Sequence, residues 1–201
     1  MKILLLGGFL GSGKTSVLLP LAKYLVDHSD YEGTKVAIVE NEIGDVSIDG
    51  ITLRNAGLSV TELFSGCICC TLGLELLNGL FEMEKTQNPE WVIIEATGVA
   101  CPGNVRESIL ESLKSVSVVR TAVLCDAERM QLLLKAISSI APQQIIDADV
   151  LLLNKIDLVD EETLAADEQT IRELNAEAPI FRVCARDGID EAVFAAVIGG
   201  N

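Results

Sequence analysis

The chain has 201 residues, 49% of them hydrophobic, with 30 acidic against 15 basic side chains and a net charge of −15. That size suits one α/β domain spanning 1–201, with a substantial core. The acidic balance, with no basic cluster, argues against nucleic-acid and anionic-membrane partners. No apolar run approaches the ~18 residues of a membrane span.

Residues 3–7 read as a first strand that runs directly into G-F-L-G-S-G-K-T at 8–15. The lysine and apolar residues of 1–10 imitate a secretion signal, but no small-residue cleavage site precedes the loop. The expectation is a core strand in a cytoplasmic protein. Residues 14–27 follow as a helix with Val17, Leu18, Leu21 and Leu25 on one face, and His28 falls at its end as a surface residue or favourable C-terminal charge. Residues 35–39 form a second strand ending in the acidic run Glu40-Asn41-Glu42-Ile43-Gly44-Asp45. Residues 46–57 read as a loop or short hairpin, and 59–64 as another short strand.

Cys67-Ile68-Cys69-Cys70 precedes a helical pattern at Leu72, Leu76, Leu80 and Met83, which Asn88-Pro89 ends. A strand at 91–94 leads into Glu95-Ala96-Thr97-Gly98, and Pro102 opens a helix with Val105, Ile109 and Leu113 on one face. Residues 116–125 form a long strand closed by Asp126, with Cys125 as packing. Residues 127–147 read as largely helical, interrupted at Pro142. A buried strand at 150–153 feeds Asn154-Lys155-Ile156-Asp157; a charged helix at 161–175, a strand at 180–183 and a short helix at 189–198 complete the order. Strands alternating with helices imply a mostly parallel sheet covered on both faces.

Three motifs carry chemistry. The first fits the phosphate-loop pattern G-x-x-x-x-G-K-[ST] at every fixed position. Gly8, Gly11 and Gly13 let backbone N–H groups turn inward, and the following helix presents its positive end. Lys14 is placed for the β/γ oxygens and Thr15 for Mg²⁺; Ser12 and Ser16 complete the candidate set. The second is N-K-x-D after a buried strand. The Asp157 carboxylate can accept from guanine N1–H and its 2-amino group, which adenine lacks. Lys155 would lie along the base and Asn154 would brace neighbouring loops. Ala185, in Cys184-Ala185-Arg186, stands where a backbone N–H can meet the guanine carbonyl. Between the two motifs, Glu95 is placed to hold Mg²⁺ through water, and the Gly98 N–H to sense the γ-phosphate.

The third motif is Cys67, Cys69 and Cys70, three thiols just before a helix start. The dipole there favours thiolate, and thiolates suit Zn²⁺ or Co²⁺. Three ligands make an incomplete, exchangeable site, which Glu40, Glu42, water or a second subunit could complete; Glu42 is also a candidate for Mg²⁺. A redox-active pair or simple buried packing fits the same spacing.

Together, the phosphate loop, E-N-E-I-G-D-V-S-I-D, E-L-F-S-G-C-I-C-C-T-L, E-A-T-G and N-K-I-D resemble the CobW-like metallochaperone GTPases over nearly the whole chain. The resemblance implies a three-layer P-loop GTPase of the SIMIBI class that hydrolyses Mg-GTP, with Lys14, Glu95 and Gly98 catalytic. It also implies metal at Cys67, Cys69 and Cys70, and delivery to a client metalloprotein or cobalamin-related pathway. The loops at 40–45 and 66–71 are expected to act as switches around the phosphates. The family's C-terminal domain and histidine-rich segment are not found in these 201 residues, and Ala100-Cys101-Pro102 replaces a common A-D-P. With no arginine finger or catalytic glutamine evident, hydrolysis should be slow, on the order of 10⁻⁴–10⁻² s⁻¹. A GTP-dependent homodimer could supply the missing group. A GTP-switched metal or redox sensor is the alternative, and N-K-I-D counts against a small-molecule kinase.

Overall fold

The computed structural model describes residues 1–40, 58–62, 72–96, 98 and 101–200. The loop assigned to 46–57, residues 63–64 of the strand expected at 59–64, Glu42, Cys67, Cys69, Cys70 and Thr97 lie outside the described residues, as does the side chain of Glu40.

Strand β1 (Lys2–Gly8) feeds helix α1 (Lys14–Asp27), followed by β2 (Val36–Glu40) and β3 (Leu58–Glu62). Helix α2 (Leu72–Thr86), β4 (Trp91–Glu95) and α3 (Pro102–Ser112) come next. Strand β5 (Val118–Asp126) leads through α4 (Met130–Ala136) and α5 (Ala141–Ile146) to β6 (Val150–Asn154). A 3-10 turn (Ile156–Leu158), α6 (Glu161–Leu174), β7 (Ile180–Val183) and α7 (Glu191–Ile198) end the order. The sheet runs β3-β2-β4-β1-β5-β6-β7, and every pairing between these strands is parallel.

Alternation along each strand explains the three layers. Leu4 and Leu6 project into one core with Val17, Leu18 and Leu21 of α1 and Phe194 of α7. Ile3 and Leu5 project the other way, against Leu76 and Leu80 of α2 and Ile109 of α3. Farther along the same face, Val123, Leu151 and Leu153 meet Met130, Ile145, Leu164 and Ile171. Strands buried on both faces carry apolar side chains at successive positions, as 3–6 and 150–153 do. Each fully buried leucine or isoleucine contributes about 1.5–3 kcal/mol relative to exposure.

Two expectations need adjustment. The helical stretch at 127–147 is broken at 137–140, ahead of Pro142, which sits in the first turn of α5. A first-turn residue has no intrahelical N–H partner to lose, so proline starts this helix instead of breaking it. The long strand begins at Val118 and includes Asp126, so that carboxylate belongs to the sheet's end. His28 is exposed at the C-cap of α1, its Nδ1 2.9 Å from the Tyr24 carbonyl.

Parallel pairing sends the carboxyl ends of all seven strands to one edge. Glu95 ends β4 there, and the phosphate loop leaves β1 beside it. Asp126 and Asn154 are register partners across β5 and β6. Strands β2 and β3 end on the same edge at Glu40 and Glu62, so the chain departs for 41–57 and 63–71 from the edge that carries the phosphate loop.

Candidate functional site

The loop between β1 and α1 takes its shape from three glycines in the left-handed region. Gly8, Gly11 and Gly13 have φ of 130°, 75° and 100°. A Cβ at Gly8 would stand 2.6 Å from the Leu124 carbonyl oxygen, and one at Gly13 2.3 Å from Asn154 Nδ2. Side chains are therefore excluded by contact as well as by backbone strain. Lys14 is buried, and its Nζ donates to the Gly8 carbonyl at 3.0 Å and the Phe9 carbonyl at 3.3 Å. Ser12 is fully buried, and its Oγ has no hydrogen-bond partner among the described residues. A buried hydroxyl beside a curled backbone, with an ammonium held by loop carbonyls, fits an anion.

Thr15 and Ser16 are exposed in the first turn of α1. Thr15 Oγ1 donates to Glu95 Oε1 at 3.4 Å, which brings together two of the three candidate Mg²⁺ residues. Gly98 lies against the phosphate loop so closely that a Cβ there would be 2.7 Å from the Leu10 nitrogen. Gln144 Nε2 donates to the Gly98 carbonyl at 3.0 Å.

Asn154 joins the phosphate loop to the other candidate loops. Its Nδ2 donates to the Ser12 carbonyl at 2.8 Å, and its Oδ1 accepts from the Ala185 N–H at 2.9 Å. Because the side chain is 3% exposed, it ties two loop segments to the end of β6 from within. Lys155 has a left-handed backbone at φ 66°, and its Nζ pairs with Asp126 Oδ2 at 2.8 Å. Asp157 receives the Cys184 thiol on Oδ1 at 3.1 Å and Arg186 Nη2 on Oδ2 at 3.1 Å. The Asp157 carboxylate, followed by burial and by Asp187, pushes the Cys184 thiol above its ordinary pKa. Cys184 is thus a neutral donor at the neck of this loop.

Three residues were missed at the sequence level. Asp126, 2% exposed, accepts on Oδ2 from both Lys155 and Arg129, the latter through Nε at 2.8 Å. Arg129 Nη2 reaches on to the Leu10 carbonyl at 3.0 Å, laying a guanidinium against the phosphate loop. The available signal was the i, i+3 acid–arginine pair at a strand end, but the contact to residue 10 depends on sheet order. Gln144 gave no local signal. Among the described residues no group of three or more His, Cys, Asp or Glu side chains is arranged to hold a metal, and no helix is long and apolar enough to cross a membrane.

Residues 2–182 match the model of the CobW/HypB/UreG nucleotide-binding domain. The chain is 29% identical to "Zinc chaperone YjiA" of Escherichia coli (strain K12), over 91% of this chain and 57% of that protein. It is 32% identical to "Zinc-regulated GTPase metalloprotein activator 1" of Schizosaccharomyces pombe, over 90% of this chain and 45% of that one. The crystal structure of the Zn(II)-bound YjiA GTPase from E. coli superposes with a TM-score of 0.69 at 26% identity, covering 99% of this chain and 62% of that chain. The chain therefore spans about half the length of these curated relatives.

Proposed function

Because the chain belongs to the CobW/HypB/UreG nucleotide-binding family, we propose that it binds and hydrolyses Mg-GTP and couples that cycle to carrying a transition metal. The observation that carries the nucleotide half is Asn154, whose one buried side chain ties the phosphate loop at Ser12 to the loop at Ala185. Phosphates would displace the Gly8 and Phe9 carbonyls from Lys14 Nζ and engage the Ser12 hydroxyl and the loop N–H groups. Mg²⁺, held by Thr15 and Glu95, would supply a Lewis acid for the β/γ oxygens. Guanine would exchange with Arg186 and Cys184 for the Asp157 carboxylate, and the Ala185 N–H would meet the base carbonyl. Arg129, against Leu10, is a cation close to the phosphates from within the same chain.

The cargo would be Zn²⁺ or Co²⁺ on Cys67, Cys69 and Cys70, with Glu40 or Glu42 as further candidate ligands and Glu42 a further candidate for Mg²⁺. Support comes from the relatives that are zinc chaperones and from the departure of β2 and β3 at the nucleotide edge. In this reading the loops at 40–45 and 66–71 close on Mg-GTP and loosen after hydrolysis. Metal then passes to a client metalloprotein in the cytoplasm, with a GTP-dependent homodimer as the closed form.

The test is an anaerobic Co²⁺ titration of reduced protein, with and without Mg²⁺ and a non-hydrolysable GTP analogue, beside a Cys67/Cys69/Cys70→Ser control. Thiolate-to-metal absorption should appear at least fivefold lower in Co²⁺ with the analogue and vanish in the control. Linkage requires the metal to tighten the analogue by the same factor. Equal Co²⁺ affinity in both arms would refute the coupling and leave a GTPase with an independent metal or redox site.

A further inference from the structure

The backbone at Gly98 is gripped by two segments, and only one grip comes from the phosphate loop. On that side, a Cβ at Gly98 would stand 2.7 Å from the Leu10 nitrogen and 3.3 Å from the Phe9 carbonyl carbon. Only glycine lets the two backbones approach so closely. The second hold comes from α5, where Gln144 donates to the Gly98 carbonyl at 3.0 Å from a position 1% exposed to solvent.

The grip continues along α5 and its exit turn. Asp147 Oδ2 accepts from the Gly103 N–H at 3.2 Å, while Oδ1 accepts from Gln143 Nε2 at 2.7 Å. A Cβ at Gly103 would fall 2.4 Å from Asp147 Oδ2, so a side chain there would displace the carboxylate from this contact. Asp149 takes both its oxygens to Arg106 at 3.0 and 3.1 Å and accepts from the Thr121 N–H at 2.8 Å. Gly98, Gly103 and Arg106 are thus all held by one short stretch, 144–149. That stretch runs on into β6, whose last residue is Asn154.

We infer that Gln144 is a positioning residue that sets how strongly Gly98 distinguishes a nucleoside triphosphate from a diphosphate. The inference rests on the nucleotide reading above and adds a residue to it. A peptide N–H senses a third phosphate only if its own position is fixed before the ligand arrives. The buried amide of Gln144 supplies that fixation from α5, independently of the phosphate loop's own backbone. Losing its donor leaves the Gly98 carbonyl, on the peptide that follows the residue, without this partner; residue 98 then drifts and carries its own N–H, on the preceding peptide, away from the γ-phosphate position. The diphosphate, held by residues 8–15, does not depend on Gly98. A defect confined to the triphosphate is therefore the signature of positioning, because a general loosening of the domain would weaken both ligands.

The experiment uses the full chain and Gln144→Leu, which keeps the size and removes the donor. Kd values for GDP and for a non-hydrolysable GTP analogue are measured with Mg²⁺, together with single-turnover hydrolysis. GDP affinity should stay within twofold of wild type, while analogue affinity and the hydrolysis rate each fall about tenfold. Equal weakening of both nucleotides, or no change in either, would overturn the inference. Should the variant fail to fold, amide hydrogen exchange on the wild-type chain decides. The analogue, relative to GDP, should protect the peptides covering 101–106 and 141–147 together, and an unresponsive α5 would overturn the assignment. Wild-type protein that binds neither nucleotide would overturn the underlying nucleotide reading, and this inference with it.

Discussion

The carboxyl of Asp167 is fully buried on α6. Its Oδ1 accepts from Gln131 Nε2 on α4 at 2.9 Å, while Oδ2 has no hydrogen-bond partner among the described residues. Burial raises its pKa from 3.8, only partly opposed by Gln131. The folded state therefore binds the proton more tightly than the unfolded chain. The stability from this group is full below the ordinary carboxylate range and lost as pH rises through the raised folded value. Asp167→Asn keeps the acceptor for Gln131 and carries no charge. The variant should gain stability relative to wild type as pH rises from 4 to 7.5, seen as a widening Tm advantage. Thermal melts across that range check it; a constant Tm difference at both ends would remove the carboxyl from the account. Nearby Cys125 responds to the same surroundings. Burial, with Asp167 and Asp126 adding to it, pushes its thiol up to about 12. It stays a neutral packing group, as its place on a core strand led one to expect.

At the scale of elements, the site exists because three strand ends deliver loops to one point, and Asn154 is the side chain that spans them. Asn154→Ala removes a donor from the Ser12 carbonyl and an acceptor from the Ala185 N–H. Stability should drop by about 1–3 kcal/mol, and nucleotide affinity by tenfold or more, because both loops lose their common support. Denaturant unfolding and nucleotide titration on the same variant test the pair; undiminished binding would show that the loops hold their shape without it. The elements themselves were largely readable. Residues 3–6 and 150–153 announce buried parallel strands by continuous apolar character, and the glycines at 8, 11 and 13 announce the loop between β1 and α1. The break at 137–140 was not readable, because Pro142 drew attention to itself while sitting in a first turn that tolerates it. Neither were Asp126–Lys155 and Gln144–Gly98, since both depend on strand order. Nothing in a local pattern says that β5 lies between β1 and β6.

At the scale of the whole molecule, electrostatics set the ligand a problem. The chain carries 30 acidic and 15 basic side chains, yet the site proposed for it takes an anion. Among the described residues the nearby cations are few and partly committed: Arg129 and Lys155 share Asp126, and Arg186 divides itself between Asp157 and Asp187. Close contacts within the loop act over a few ångströms and are screened little by salt, whereas the net charge acts at distance. A Mg-nucleotide, still anionic, therefore approaches against a repulsive long-range field and is captured by short-range donors. Raising monovalent salt from 10 to 150 mM shortens the Debye length from about 30 Å to about 8 Å. At constant free Mg²⁺, that should speed association of a fluorescent GTP analogue about two- to fivefold, the reverse of the usual steering effect. Stopped-flow mixing across that range gives the sign directly. A rate that falls with salt would mean that Lys14, Arg129 and Lys155 dominate the field at the loop's mouth, and that the acidic surface faces elsewhere.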